Sequence, residues 1–162
     1  MSRPLLAAAA LLLLAASPVR AVDQAAGDPV VDVAPEAQAA ATVVDAFHAA
    51  LEAGDTDAAL MLMTEDVLVF EEGGAERSRA EYAAFHLGAD AAYAGASVST
   101  VTRRFGSANG DTAWILTEGS TTGQAGNSAT SRLTMETMVL MRGSGSWRIQ
   151  HIHWSSRAVP AV

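Results

Sequence analysis

The chain predicts an α+β domain, a curved antiparallel sheet wrapped around helices. Three observations carry that expectation. Apolar residues between Pro35 and Tyr93 recur mostly at helical spacing, and past Gly95 the period changes to two. Helices and one short strand come first and the remaining strands follow together, an order that places helices on one face of a sheet joined by hairpins. The length, 162 residues, suits one domain better than two.

The first 21 residues read as a secretory signal. Arg3 is a short positive start, Leu5 to Ala16 is an unbroken Leu/Ala run, and Pro18 breaks it. Val19-Arg20-Ala21 supplies small residues ahead of a cleavage point. The run is shorter than the ~20 residues a spanning helix needs, so cleavage is expected, with an uncleaved anchor as the alternative. No later stretch is apolar enough to cross a membrane. Residues 22–34, rich in Ala, Asp, Gly and Pro, read as a flexible lead, 35–156 as the folded domain and 157–162 as a tail.

Within the domain, Pro35 suits a first helical turn, and Ala40, Val43, Val44, Phe47 and Leu51 share one face. His48 lies beside that stripe, exposed or packed at its edge. Gly54 ends the helix, and Asp55 caps a short second one through about Met63. Val67 to Phe70 reads as a strand and Gly73-Gly74 as a turn. A third helix opens on a capping box, Ser78 with Glu81. Tyr82, Phe85, His86, Ala89 and Tyr93 would form its buried face. Four strands follow, Ser97–Ser107, Thr112–Thr122, Ser131–Arg142 and Trp147–Ser156. Asn109-Gly110 and Ser144-Gly145 turn two of the hairpins.

The net charge is −8, and removal of the leader, which holds Arg3 and Arg20 and no acid, makes it more negative. Such a chain repels phosphate backbones, so nucleic acid is not an expected partner. With no Cys, thiol catalysis, thiolate metal sites and disulfides are excluded.

The pairing of Ala53-Gly54-Asp55 at a helix end, the strand Val67–Phe70 and above all the ending Trp147-Arg148-Ile149-Gln150-His151-Ile152-His153-Trp154-Ser155 resemble the nuclear transport factor 2-like superfamily. More narrowly, they resemble its exported SnoaL-like or DUF4440-type domains. The resemblance covers nearly all of Pro35 to Ser156. It implies a cone with a pocket between helix and sheet, a sheet-face homodimer, and a function that ranges from isomerase to assembly domain. The ketosteroid isomerase branch works with an Asp base and with Tyr and protonated Asp donors. The first helix here offers Phe47 and His48 but no Tyr, so that residue set does not map onto this chain.

The candidate site lies on the last hairpin. His151 and His153, two apart on a strand, leave one face with Trp147, Ile149 and Ser155. A two-residue loop at Ser144-Gly145 sets Leu140 against Ile149, Met138 against His151 and Glu136 against His153. A slip of one residue moves Glu136 to the other face. In a cone, His86 and Tyr82 of the third helix would cover the same wall, with Glu118 a weaker addition and Glu71, Glu72 and Glu76 at the rim. The expected catalytic set is thus His151, His153 and Glu136, lined by His86, Tyr82, Glu118, Trp147 and Met138.

Three functions fit. The first is an apolar pocket for a small organic molecule, with a histidine as acid or base oriented by Glu136 and no cofactor. The second is a divalent metal held by His86, His151, His153 and Glu136. The third is a non-catalytic homodimerisation or interaction domain working through Ile152 and Trp154 on the opposite face. Export to a periplasm or to the medium is common to all three.

Overall fold

A computed structural model describes residues 28–125 and 128–159. The predicted signal, the first part of the predicted lead (residues 22–27) and the end of the tail lie outside them. The elements run β1 (Val30–Val33), a 3-10 turn (Pro35–Ala37), α1 (Gln38–Glu52), α2 (Thr56–Met61), β2 (Met63–Glu71), β3 (Gly74–Glu76), α3 (Arg79–Phe85), α4 (Leu87–Gly95), β4 (Val98–Asn109), β5 (Thr112–Ala125), β6 (Ser128–Gly143) and β7 (Ser146–Ala158). The seven strands form one open sheet in the order β1-β4-β5-β6-β7-β2-β3. The two crossovers, β1 on β4 and β2 on β7, are parallel, and the other pairs are antiparallel. This is the α+β arrangement expected, a curved sheet with helices on its concave side. Among the described residues no helix is long and apolar enough to cross a membrane.

Local chemistry explains the boundaries. Asp55 Oδ1 accepts the Ala58 N–H at 3.0 Å and starts α2, after Gly54 has turned the chain at φ 70°. Ser78 Oγ accepts the Glu81 N–H at 3.1 Å, and the Glu81 carboxylate receives the N–H of Arg77 at 2.7 Å. The β2–β3 and β6–β7 hairpins turn on Glu72-Gly73 and Ser144-Gly145, all four residues at positive φ, which matches the strand twist. The bend of the sheet has a visible source. Thr102 is an extra residue in β4, between the pairs Val101–Gly119 and Arg103–Glu118. A Cβ on Gly119 would lie 2.6 Å from the Thr100 carbonyl oxygen, so only glycine lets the strands close there.

The core lies between α1 and the sheet. Val44 and Phe47 of α1, Met63, Val67 and Val69 of β2, Ile115 of β5, Met138 and Leu140 of β6 and Ile149 and Ile152 of β7 are fully buried.

Two expectations about elements need correction. Val30–Val33, placed in the flexible lead, is a strand paired with Arg103–Gly106. Short and at the sheet edge, it lacks a periodicity long enough to read. The third helix is two helices that break at His86, whose φ of −114° departs from helical geometry. The break resets the buried face to Leu87 and Ala91 beyond Tyr82, leaving Phe85 74% and Tyr93 50% exposed.

Candidate functional site

The site depends on a bulge in β7. From Gly143–Ser146 to Leu140–Ile149 the β6–β7 register is the one the hairpin predicts. Gln150 then has no partner, and the pairing resumes as Val139–His151, Met138–Ile152, Thr137–His153 and Glu136–Trp154. Gln150 Nε2 donates to the Asp66 carbonyl at 3.2 Å, which ties the bulge to an irregular stretch of β2. One inserted residue exchanges the faces of everything after it. Trp147 and Ile149 face the core as expected, but beyond the bulge Ile152 and Trp154 take over that side.

His151 and His153 therefore stand on the outer face, not opposite Glu136. There Phe70 meets both rings edge-on, at centroid distances of 5.0 and 6.4 Å, and His151 Nδ1 donates to the Leu68 carbonyl at 2.9 Å. Glu118 faces outward as well, paired with Arg103 and Met135. Met138 is buried in the core, and Trp147 lies under the Arg142 guanidinium at 5.0 Å. The predicted convergence of His86, His151, His153 and Glu136 does not occur. Among the described residues no group of three or more His, Asp or Glu side chains is arranged to hold a metal ion.

The concave face carries a different set. Register places Glu71 (β2), Trp154 (β7), Glu136 (β6), Thr117 (β5) and Arg104 (β4) side by side in one row across five strands. Helix α1 lies over the row. Its His48, four residues after Val44 and three before Leu51, reaches down from the flank of the buried stripe. His48 Nε2 is 2.7 Å from Glu136 Oε2, and Trp154 Nε1 donates to the same oxygen at 2.8 Å. The indole stacks on Phe47 with a centroid distance of 6.2 Å. Arg104 reaches Asp45 at 2.5 Å and Thr117 Oγ1 at 3.3 Å.

Burial opposes charge on both members of the inner pair, and their mutual attraction outweighs it. Burial alone would lower the His48 pKa, but Glu136 leaves it raised. Burial alone would raise that of Glu136, but His48, then Trp154 and Arg104, leave it lowered. Both shifts favour the ionised forms, imidazolium and carboxylate. The other oxygen, Glu136 Oε1, is shielded from solvent and has no hydrogen-bond partner among the described residues.

On the far side of Trp154 lies a second group. Tyr82 donates its hydroxyl to Asp90 Oδ2 at 2.8 Å, and His86 Nδ1 contacts Glu76 Oε1. Burial, then Asp90, pushes the Glu71 carboxyl up to about 7, against a counterpull from His86. Glu71 Oε2 is also shielded and, among the described residues, without a partner. Burial likewise raises Tyr82 and Asp90, while the Glu76 hydrogen bond raises His86. An open depression at this end of the sheet is lined by Phe70, Glu71, Gly73, Gly74, Ala75 and His153.

His48 is the site residue that sequence reasoning missed, and Glu71 it left at the rim. A signal for the bulge was present. In β7 the apolar phase runs Trp147, Ile149 and then Ile152, Trp154, an odd-to-even switch that a regular strand does not make.

Residues 40–160 match the SnoaL-like domain. The chain belongs to the SnoaL-like family. Among solved structures, this SnoaL-like domain is 34% identical to a protein of Shewanella frigidimarina named as a candidate ketosteroid isomerase. The match covers 76% of this chain and 99% of the other, with a TM-score of 0.69. An NTF2-like protein with a cystatin-like fold from Novosphingobium aromaticivorans is 17% identical, over 74% and 80% of the two chains, with a TM-score of 0.62. The S. rosetta CaMKII hub is 22% identical, over 76% and 98%, with a TM-score of 0.66. The last two show the fold alone, the nuclear transport factor 2-like cone. Among curated proteins none matches the chain.

Proposed function

We propose that this SnoaL-like domain is exported, binds a small organic molecule against its concave face and moves a proton on it through Glu71. The observation that carries the reading is the state of Glu71. It is a carboxyl on the concave row beside Trp154, with a buried oxygen that has no partner and a pKa pushed up to about 7. A carboxyl near neutrality can both take and return a proton, which is what a general acid–base group requires. It would remove a proton from an acidic C–H and return it to another atom of the same molecule, with no net change in composition. The relationship to a candidate ketosteroid isomerase supports this class of reaction. Glu136 and His48 would fix the ligand rather than move its proton, because they already hold each other as an ion pair. The leader-like first 21 residues support export, and N-terminal sequencing of the mature protein tests it.

Mass spectrometry of the native protein would identify the molecule it retains. Exchange of that molecule's acidic hydrogens with D2O then reads proton transfer. Glu71→Gln should slow exchange by about 10²-fold or more while the molecule still binds. Unchanged exchange would remove Glu71 from the role.

A second reading concerns the outer face, where Leu68, Phe70, Trp114, Met135 and Met141 are each 38–51% exposed. Large apolar side chains exposed on one face suit a second copy of the chain, and the hub-domain neighbour supports assembly on this fold. Trp114→Glu should convert a homodimer to monomer in sedimentation. A wild-type monomer at micromolar concentration would end the reading.

A further inference from the structure

The two oxygens of Glu136 are not equivalent. Oε2 takes both available donors, His48 Nε2 at 2.7 Å and Trp154 Nε1 at 2.8 Å, while Oε1, in a side chain only 7% exposed, takes none. A buried carboxylate oxygen without a donor is costly, and native structures supply one from protein, water or ligand. We propose that Glu136 Oε1 is the docking point for a hydroxyl of the ligand, so that the site selects alcohols and phenols over matching ethers and ketones.

Three features of the surroundings narrow the class. An ionised carboxylate is acceptor-only, so the ligand must bring the hydrogen, and a ketone oxygen or an enolate would be repelled. His48 and Arg104 already balance Glu136 and Asp45, charge for charge, so nothing in this part of the row calls for a cationic amine. The row continues into the Trp154 indole stacked on Phe47, a wall for an apolar ring. A ligand would have to reach Oε1 past His48, whose side chain is 36% exposed. The inference rests on the concave-face reading of function but not on proton transfer by Glu71.

The test uses phenol, anisole and acetophenone, one ring with three polar groups, titrated into the full-length protein and followed by NMR. Phenol should bind about tenfold or more tighter than either of the others. Glu136→Gln gives a sharper readout. The amide carbonyl must stay where Oε2 was, to accept the two N–H donors, so the amide NH2 falls where Oε1 was. The free position becomes a donor, and the preference should turn toward acetophenone. Equal binding of phenol and anisole to the wild type, or an unchanged order in Glu136→Gln, would overturn the hydroxyl docking point alone. So would a phenol-soaked crystal with only an ordered water on Oε1. Failure of all three probes to bind would overturn the concave-face reading of function and this inference with it. The wild-type comparison decides the matter even if the variant does not fold.

Discussion

The two faces of the sheet are built from the same strands and treat polar groups in opposite ways. One row on the concave side reads Glu71, Trp154, Glu136, Thr117, Arg104. The adjacent row on the outer side reads Phe70, His153, Thr137, Leu116, Phe105. Of these two rows, the covered one holds the carboxylates Glu71 and Glu136 and the outer one holds Phe70, Leu116 and Phe105. Burial and paired charge, both costly to a small domain, are concentrated where the helices close over the sheet. The outer face uses its histidines as packing partners for Phe70. The chemistry proposed for the concave row and the assembly proposed for the outer surface would thereby be separated by the thickness of one sheet.

Truncation should separate the faces most sharply. Ile152 on the concave side is fully buried and Met135 on the outer side is 51% exposed. Ile152→Ala removes buried methylenes and leaves a cavity, for an expected loss of about 2–5 kcal/mol. Met135→Ala should cost about 0.5 kcal/mol or less in a monomer. Urea unfolding of both variants makes the comparison. Equal losses would mean that the outer face is as well packed as the core, as a tight dimer would make it.

The His48–Glu136 pair gives the next effect. His48→Ala leaves Glu136 buried with one donor fewer. We expect a loss of about 2 kcal/mol, below the 3–5 of a fully buried pair because His48 is partly exposed. The pH dependence has a defined sign. The raised His48 pKa contributes stability that is complete below 6.5 and is lost as pH rises through its folded value. The lowered Glu136 pKa contributes stability that is complete above 4.5 and is lost as pH falls through its folded value. The difference between wild type and His48→Ala should therefore be largest between 4.5 and 6.5 and shrink on both sides. A difference independent of pH would indicate lost packing rather than a lost ion pair.

The Ser144-Gly145 hairpin and the helix caps were legible in the sequence because each is local, whereas the turns read as Asn109-Gly110 and Gly73-Gly74 fall one residue away, on Gly110-Asp111 and Glu72-Gly73. Ser144-Gly145 set four β6–β7 pairs correctly, and Ser78 and Asp55 cap as read. The site was not legible, because one unpaired residue, Gln150, decided which side chains face the helices. Strict alternation had assigned His151 and His153 to the face of Ile149. What opposes it is the greater apolar burial gained by turning Ile152 and Trp154 inward, a tertiary gain that a count along one strand does not contain. His48 escaped notice for a related reason. It sits on the flank of an apolar helix stripe, where only the position of Glu136 across the sheet decides between solvent and ion pair. The break at His86 is equally non-local, since the ring is held by Glu76 from β3.

Glu71 should give a smaller effect on stability than Ile152 or His48, and the most informative one. Its carboxyl titrates near 4.5 in an unfolded chain and about 7 in the fold, so between those values the folded state holds more protons. Stability then falls as pH rises from 4.5 to about 7 and levels off above it. Glu71→Gln, neutral throughout, removes that fall. The variant should match wild type near pH 4 and exceed it above pH 7 by on the order of 1 kcal/mol, once solvent screening of a half-buried group is allowed for. In thermal melts that is a few degrees of Tm. Coupled with the expected loss of proton exchange, the gain would mark Glu71 as a residue kept at the expense of stability, the trade expected of a working acid–base group rather than of a structural one. A Glu71→Gln variant no more stable at pH 8 than wild type would mean that the carboxyl is already satisfied there, and that its proton is not poised for transfer.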